Sequence, residues 1–222
     1  MAIHAIAAAA PMQVLRYTDR ASMPAALPSV TGYLSRLPRG ADSYPECMVK
    51  ASLIHNAMAS RPIGPEVPLP TSVRKLLEHL PPVSMWVPEV HFNILMLATL
   101  DVHFGTRDLN GYRDWVYSQN RKLFQTPLYR AVFLVISPER LLYGMEKRWE
   151  SFRKGSLLRV VVQGPREVEL HLTAPPCLYA SVHVIGMSEA LRAGIDAAGG
   201  KRARAIGELR SETEVCYRLM WD

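Results

Sequence analysis

The apolar positions of the chain keep a helical period through its middle and change to alternation near its end. Leu76, Leu77 and Leu80 stand at i, i+1 and i+4 in a helix over Val73–Leu80, which Thr71 or Ser72 can cap and Pro81-Pro82 ends. Pro88 suits the first turn of a second helix reaching about Phe104. Val90, Ile94, Leu97 and Leu100 recur along it, and Gly105 can stop it. Asp108 can cap a third, which holds Tyr112, Trp115, Val116, Gln119 and Leu123. A fourth run, Leu128 to about Ile136, is apolar almost throughout, as in a helix buried on most sides. Ser137-Pro138-Glu139 opens a fifth toward Phe152, with Leu141, Leu142, Met145 and Trp149 along one stripe.

Beyond Gly155 the period falls to two. The runs 157–162 and 167–172, joined by Gln163-Gly164-Pro165-Arg166, form a β-hairpin that places Val168, Leu170 and Leu172 on one face. A helix from about Leu178 to Ala198 closes at Gly199-Gly200. Strands over 203–210 and 214–221 follow, the latter with Val215, Tyr217, Leu219 and Trp221 on one side. Helices followed by β-β-α-β-β predict an α+β fold, with N-terminal helices packed on a four-stranded, mainly antiparallel sheet.

At 222 residues the chain has room for one sizeable domain and an appendage. Residues 1–45 are rich in Ala, Pro, Gly and Ser, a short helix fits about 48–60, and Pro62, Pro65, Pro68 and Pro70 mark a loop. We therefore read 1–70 as a protein-specific extension and 71–222 as the domain. Its 49% hydrophobic and 21% charged residues are those of a globular protein. Polar residues and Pro138 break every apolar stretch short of a membrane span. Met1–Pro11 has a secretory flavour but lacks a basic start. Three scattered cysteines, Cys47, Cys177 and Cys216, form neither a disulfide framework nor a zinc site, so a reducing cytoplasm is expected.

The net charge of +6 is concentrated in residues 105–160, where eleven basic residues face five acids. Arg113, Arg121, Lys122, Arg130, Lys147, Arg148, Arg153 and Lys154 are its candidate interaction face, for an acidic partner or for nucleic acid. A solvated helical face explains the same residues, and no nucleic-acid motif accompanies them.

The order of several local phrases carries a family resemblance. Leu80-Pro81, Trp86-Val87-Pro88, Tyr129-Arg130, Ser137-Pro138-Glu139, Trp149 to Gly155, Gly186 and Cys216-Tyr217-Arg218-Leu219-Met220-Trp221 follow one another between Val73 and Trp221. This stretch resembles a myxobacterial family of unknown function. That family is related to the four-vinyl-reductase domain and, more distantly, to the haem nitric-oxide-binding and Golgi-transport-subunit superfamily. The resemblance implies helices around a β-β-α-β-β sheet, with a hydrophobic ligand held between them or an adaptor role in dimers. Four-vinyl-reductase relatives tend to carry a further Cys eight residues before the equivalent of Cys216; here that position is Glu208.

The residues themselves call for no cofactor, metal or catalytic centre. A haem would need His91 or His103 as axial ligand, and twelve residues apart these lie about 120° from a common helical face. Tyr117-Ser118-Gln119-Asn120-Arg121 resembles a propionate clamp but with altered spacing. Cys177 and His183 are six residues apart, and no phosphate loop, dinucleotide fingerprint or nucleophile elbow is present. Trp86, Phe92, Leu95, Met96, Tyr129, Phe133, Met145 and Trp149 are the candidate lining of an apolar pocket, which packed core would equally explain. The expectation is a non-enzymatic cytoplasmic regulatory or sensory protein that binds a small hydrophobic ligand or a partner between helices and sheet. It would have a protein partner and could form a homodimer. The alternatives are a scaffold adaptor with a filled core and, second, a nucleic-acid-associated protein using 105–160.

Overall fold

The computed structural model describes residues 27–126, 130, 131, 133 and 135–222. Helix α1 (Pro28–Leu34) opens on a proline, whose fixed φ suits a first helical turn. Strand β1 (Met48–Lys50) leads directly into α2 (Ala51–Ser60). The expected helix over 48–60 thus loses its first three residues to a strand, because Met48 and Val49 find ladder partners on both sides. Those partners are β2 (Trp86–Pro88) and β3 (Arg153–Lys154), which complete a small antiparallel sheet in the order β2-β1-β3. Helix α3 (Thr71–Glu78) starts two residues early, with Pro70 rather than Thr71 or Ser72 at its cap position and no side-chain cap.

Pro88 ends β2 with an extended backbone, so α4 begins at Glu89 and runs to His103. Gly105 follows at φ +65, the left-handed turn expected of it. The Asp108 carboxylate caps α5 (Leu109–Phe124) by accepting from the Gly111 N–H at 2.9 Å. Of the expected helix at 128–136, residues 130, 131 and 133 are helical, and 128, 129, 132 and 134 lie outside the described residues. The fifth expected helix is broken at Gly144 into α6 (Pro138–Tyr143) and α7 (Met145–Arg148), followed by a 3-10 turn over Trp149–Ser151. A glycine is a weak point in a helix, and the break lets both Leu142 and Trp149 reach the core.

The main sheet joins β4 (Leu157–Gly164), β5 (Glu167–Thr173), β6 (Arg204–Leu209) and β7 (Glu214–Met220) in the order β4-β5-β7-β6, every pair antiparallel. The expected α+β class and hairpin both hold. Leu158, Val168, Leu170, Leu172, Val215, Tyr217 and Leu219 are buried along the inner face. Helix α8 (Ser181–Ala197) packs on β6 and β7, with α5 stacked on it. Gly207 permits that approach, since a Cβ there would stand 2.5 Å from Val184 Cγ1 and 2.6 Å from Ser188 Oγ. No helix among the described residues is long and apolar enough to cross a membrane.

Residues 27–70 share the core of the later residues. Leu27, Val30, Tyr33, Val49, Ile54 and Val67 are buried in one cluster with Ile94, Leu97, Leu170 and Tyr217. Ser29 adds two hydrogen bonds to the Asp101 carboxylate, and Tyr33 donates to the Leu178 carbonyl at 2.8 Å.

Gly155 joins β3 to β4 at φ +76, where a Cβ would stand 2.6 Å from Cys47 Sγ and 2.9 Å from Cys47 Cα. Gly155→Ala therefore lowers unfolding free energy by about 1–3 kcal/mol. Gly32→Ala, in α1 with open space around it, raises it by about 0.5–1 kcal/mol. Urea unfolding of the two variants checks the contrast.

Candidate functional site

A buried ion pair organises the space between helices and sheet. Glu89, the first residue of α4, is completely buried, and its Oε1 is held by Arg153 Nη1 from β3. The Tyr179 hydroxyl donates to the same oxygen at 2.8 Å. Glu89 Oε2 has no partner among the described residues. The Arg153 guanidinium carbon lies 5.5 Å from the Trp149 ring centroid, 5.9 Å from Phe92 and 6.0 Å from Tyr179. Aromatic faces on several sides compensate a cation deprived of water.

Next to this pair lies a cavity of about 170 Å³ bounded by α2, α4, α5, α8 and β7. Ala57, Met96, Trp115 and Val116 give it buried apolar walls, with Phe92 and Met187 partly exposed. Asn56, Gln119, Asn120 and Leu123 are its more exposed lining, whereas Asn93, Arg153, Tyr179, His183 and Tyr217 are deep. The whole stripe Tyr112, Trp115, Val116, Gln119 and Leu123 of α5 faces it.

His183 is fixed at the third position of α8. Its Nδ1 accepts from the Ala180 N–H at 2.9 Å and its Nε2 donates to the Asn93 carbonyl at 3.1 Å, which defines one neutral tautomer. Burial pushes its pKa down to about 4. Asn93 in turn donates from Nδ2 to the Leu178 carbonyl at 2.8 Å and to the Tyr33 hydroxyl at 3.2 Å. This network joins α1, α4 and the entry to α8. Both His183 nitrogens are thereby engaged with backbone groups, and Cys177 is not among their partners.

Of the residues expected to line a pocket, Phe92 and Met96 do so. Leu95, Met145 and Trp149 instead pack in the main core, and Trp149 donates to Ser156 Oγ. Trp86 lies on the small sheet, with the Lys50 and Lys154 ammonium groups 3.9 and 4.5 Å from its ring centroid. The Phe133 ring lies 4.7 Å from that of Phe124, tilted by 48°, beside a separate depression, and Tyr129 lies outside the described residues. Sequence reasoning did not assign Leu53, Ala57, Tyr112, Trp115, Tyr179, His183, Met187 or Tyr217 to the pocket. The α5 stripe was the available signal.

The basic face needs one correction. Arg153 is 6% exposed and paired inside the protein, so it belongs to the site rather than the surface. Arg113 pairs with Glu189, and Arg148 donates to the Leu141 carbonyl. Arg121 and Arg130 border the Phe124–Phe133 depression, and Lys122, Lys147 and Lys154 are exposed.

On the outer face of the main sheet, Glu169, His171 and Cys216 bring possible metal-ligand atoms within 4.8 Å of one another. Cys216 stands opposite His171 on one side and Glu208 on the other. The Glu169 carboxylate is already shared by Arg218, His171 and Gln163, and burial pushes the Cys216 thiol up, toward its protonated form. A guanidinium and a protonated thiol both work against a cation here.

The chain is an α+β protein with a small-molecule-sized cavity between helices and sheet, and its fold is similar to that of solved structures. One, described as "Modulating Heme Redox Potential Through Protein-Induced Porphyrin Distortion", has a TM-score of 0.51 at 9% identity, with 77% of this chain and 97% of that chain covered. An H-NOX protein mutant from K. algicida gives 0.46 at 12% identity, covering 78% and 96%. A third, described as "Structural insights into the molecular mechanism of H-NOX activation", gives 0.49 at 7% identity, covering 78% and 94%. Residues 78–222 match the family described as "Protein of unknown function (DUF2378)", and the chain belongs to that family. No curated protein matches the sequence.

The residues of the cavity do not fit a haem. Its volume is close to that of a site for a single benzene ring, far below that of a porphyrin. The lining histidine, His183, has no free ring nitrogen, and neither His91 nor His103 reaches the lining. His103 is bonded to the Pro62 carbonyl at 3.0 Å.

Two measurements probe this centre. Arg153→Met leaves Glu89 as a buried unpaired carboxylate and costs about 3–5 kcal/mol, whereas Glu89→Gln with Arg153→Met costs less than the single-variant effects added together. His183 has a folded pKa of about 4 against 6.5 unfolded, so the unfolded chain binds more protons between those values. Its contribution is complete above pH 6.5 and is lost by about 1.4 kcal/mol per unit as pH falls toward 4. His183→Gln keeps an acceptor for the Ala180 N–H, and its urea midpoint is correspondingly less dependent on pH across that window.

Proposed function

We propose that this chain is a non-enzymatic sensory or regulatory domain that holds a small, largely apolar ligand between α2, α4, α5, α8 and β7. The observation that carries this reading is the 170 Å³ cavity with apolar walls and a few deep polar groups, the usual make-up of a ligand site. The fold supports it, since the solved structure with a TM-score of 0.51 carries a description that concerns heme, a bound small molecule. A ligand preferring one arrangement of α5 against α8 shifts the population toward it. The surface so altered is read by a partner protein or by a second copy of the chain, in the cytoplasm.

Native mass spectrometry of the full chain after mild purification tests this. A small-molecule adduct is expected, and Ala190→Phe, which fills the cavity from α8, is expected to cut its occupancy about tenfold without lowering the melting temperature. Full retention of the adduct by that variant would place the ligand elsewhere. No adduct, together with no thermal shift from added apolar compounds, would leave the cavity as a packing defect.

A further inference from the structure

The deep polar groups of the cavity also limit what its ligand can be, an inference that rests on the cavity being a ligand site. Some of these groups are already spent. Asn93 donates to Tyr33 and Leu178, His183 has backbone partners on both nitrogens, and the Tyr179 hydroxyl donates to Glu89. Arg153, Tyr112 and Tyr217 remain, each more than nine-tenths buried. Arg153 has one polar partner among the described residues, Glu89, reached through Nη1. Its guanidinium can only donate, and the residue lines the cavity. Tyr112 and Tyr217, whose hydroxyls can donate, line the cavity as well. Arg153 and Tyr217 both line the cavity, so an occupant meets donors from β3 and from β7.

Three donor-bearing side chains on one cavity favour an occupant that accepts hydrogen bonds. Charge decides its kind. Glu89 already balances Arg153, and His183 is neutral. A ligand carboxylate would therefore leave the site with an uncompensated buried negative charge, which is strongly unfavourable.

We propose that the ligand is a compact apolar molecule ending in one neutral carbonyl oxygen, a ketone, ester or amide, which accepts hydrogen bonds from Arg153 and Tyr217. A cavity of about 150 Å³ takes benzene, so this one suits a ring with one short substituent.

The test uses three probes of equal heavy-atom count: isopropylbenzene, acetophenone and benzoate, titrated calorimetrically into the full chain at neutral pH. Acetophenone is expected to bind about tenfold more tightly than isopropylbenzene, and benzoate most weakly. Tyr217→Phe keeps the ring and removes the hydroxyl. It is expected to weaken acetophenone about fivefold while leaving isopropylbenzene unchanged. Equal affinities for ketone and hydrocarbon, tightest binding of benzoate, or an unchanged ketone preference in Tyr217→Phe would overturn the proposal while leaving the cavity a ligand site. No binding of any probe would overturn the ligand-site reading as well. The ranking of the three probes in the unmodified chain needs no variant and tests the proposal even if Tyr217→Phe does not fold.

Discussion

The buried Glu89–Arg153 pair is the constraint on which the arrangement of helices and sheets depends. Each ion alone would be strongly disfavoured in this interior, so neither can be placed without the other. Glu89 therefore fixes the first turn of α4 beside β3, and the Tyr179 hydroxyl brings the segment before α8 to the same point. The small three-stranded sheet follows from this requirement. β1 lies between β2, which runs directly into Glu89, and β3, which carries Arg153. The same guanidinium then forms part of the cavity floor, so one side chain serves both the fold and the site.

A second network fastens the early residues to this centre. Tyr33, Asn93, His183 and the Leu178 carbonyl satisfy one another in a buried position, where a missing member leaves its neighbours unpaired. Its members come from residues far apart in sequence, which makes the segment from Leu27 onward part of the same cooperative unit.

The sequence made the local elements legible because their signals are local. The Asp108 cap, the left-handed Gly105, the Val168-Leu170-Leu172 alternation and the four-strand ending all appear where the pattern places them. What it could not convey was pairing at a distance. β1 is three residues long and becomes a strand only because Trp86–Pro88 and Arg153–Lys154 arrive beside it. Arg153 looked like one more surface cation in a basic segment, since nothing near it in sequence announces Glu89. The pocket was only partly legible for a similar reason. Phe92 and Met96 lie on the lining, but Trp86 and Phe133 satisfy equally aromatic patterns elsewhere. The five-residue stripe of α5 was visible from spacing, yet spacing does not distinguish a face against solid core from one against a hollow.

The wall formed by α2 has a consequence for comparing relatives. Leu53, Asn56 and Ala57 line the cavity, yet all three precede residue 78, where the match to the family begins. One cheek of the chamber thus comes from outside the shared frame. Two chains could agree throughout that frame, down to the floor residues Arg153 and Tyr217, and still enclose chambers of different shape. Likeness over the family region is then a guide to the ligand's polar end, while the preceding segment sets how bulky its other end can be.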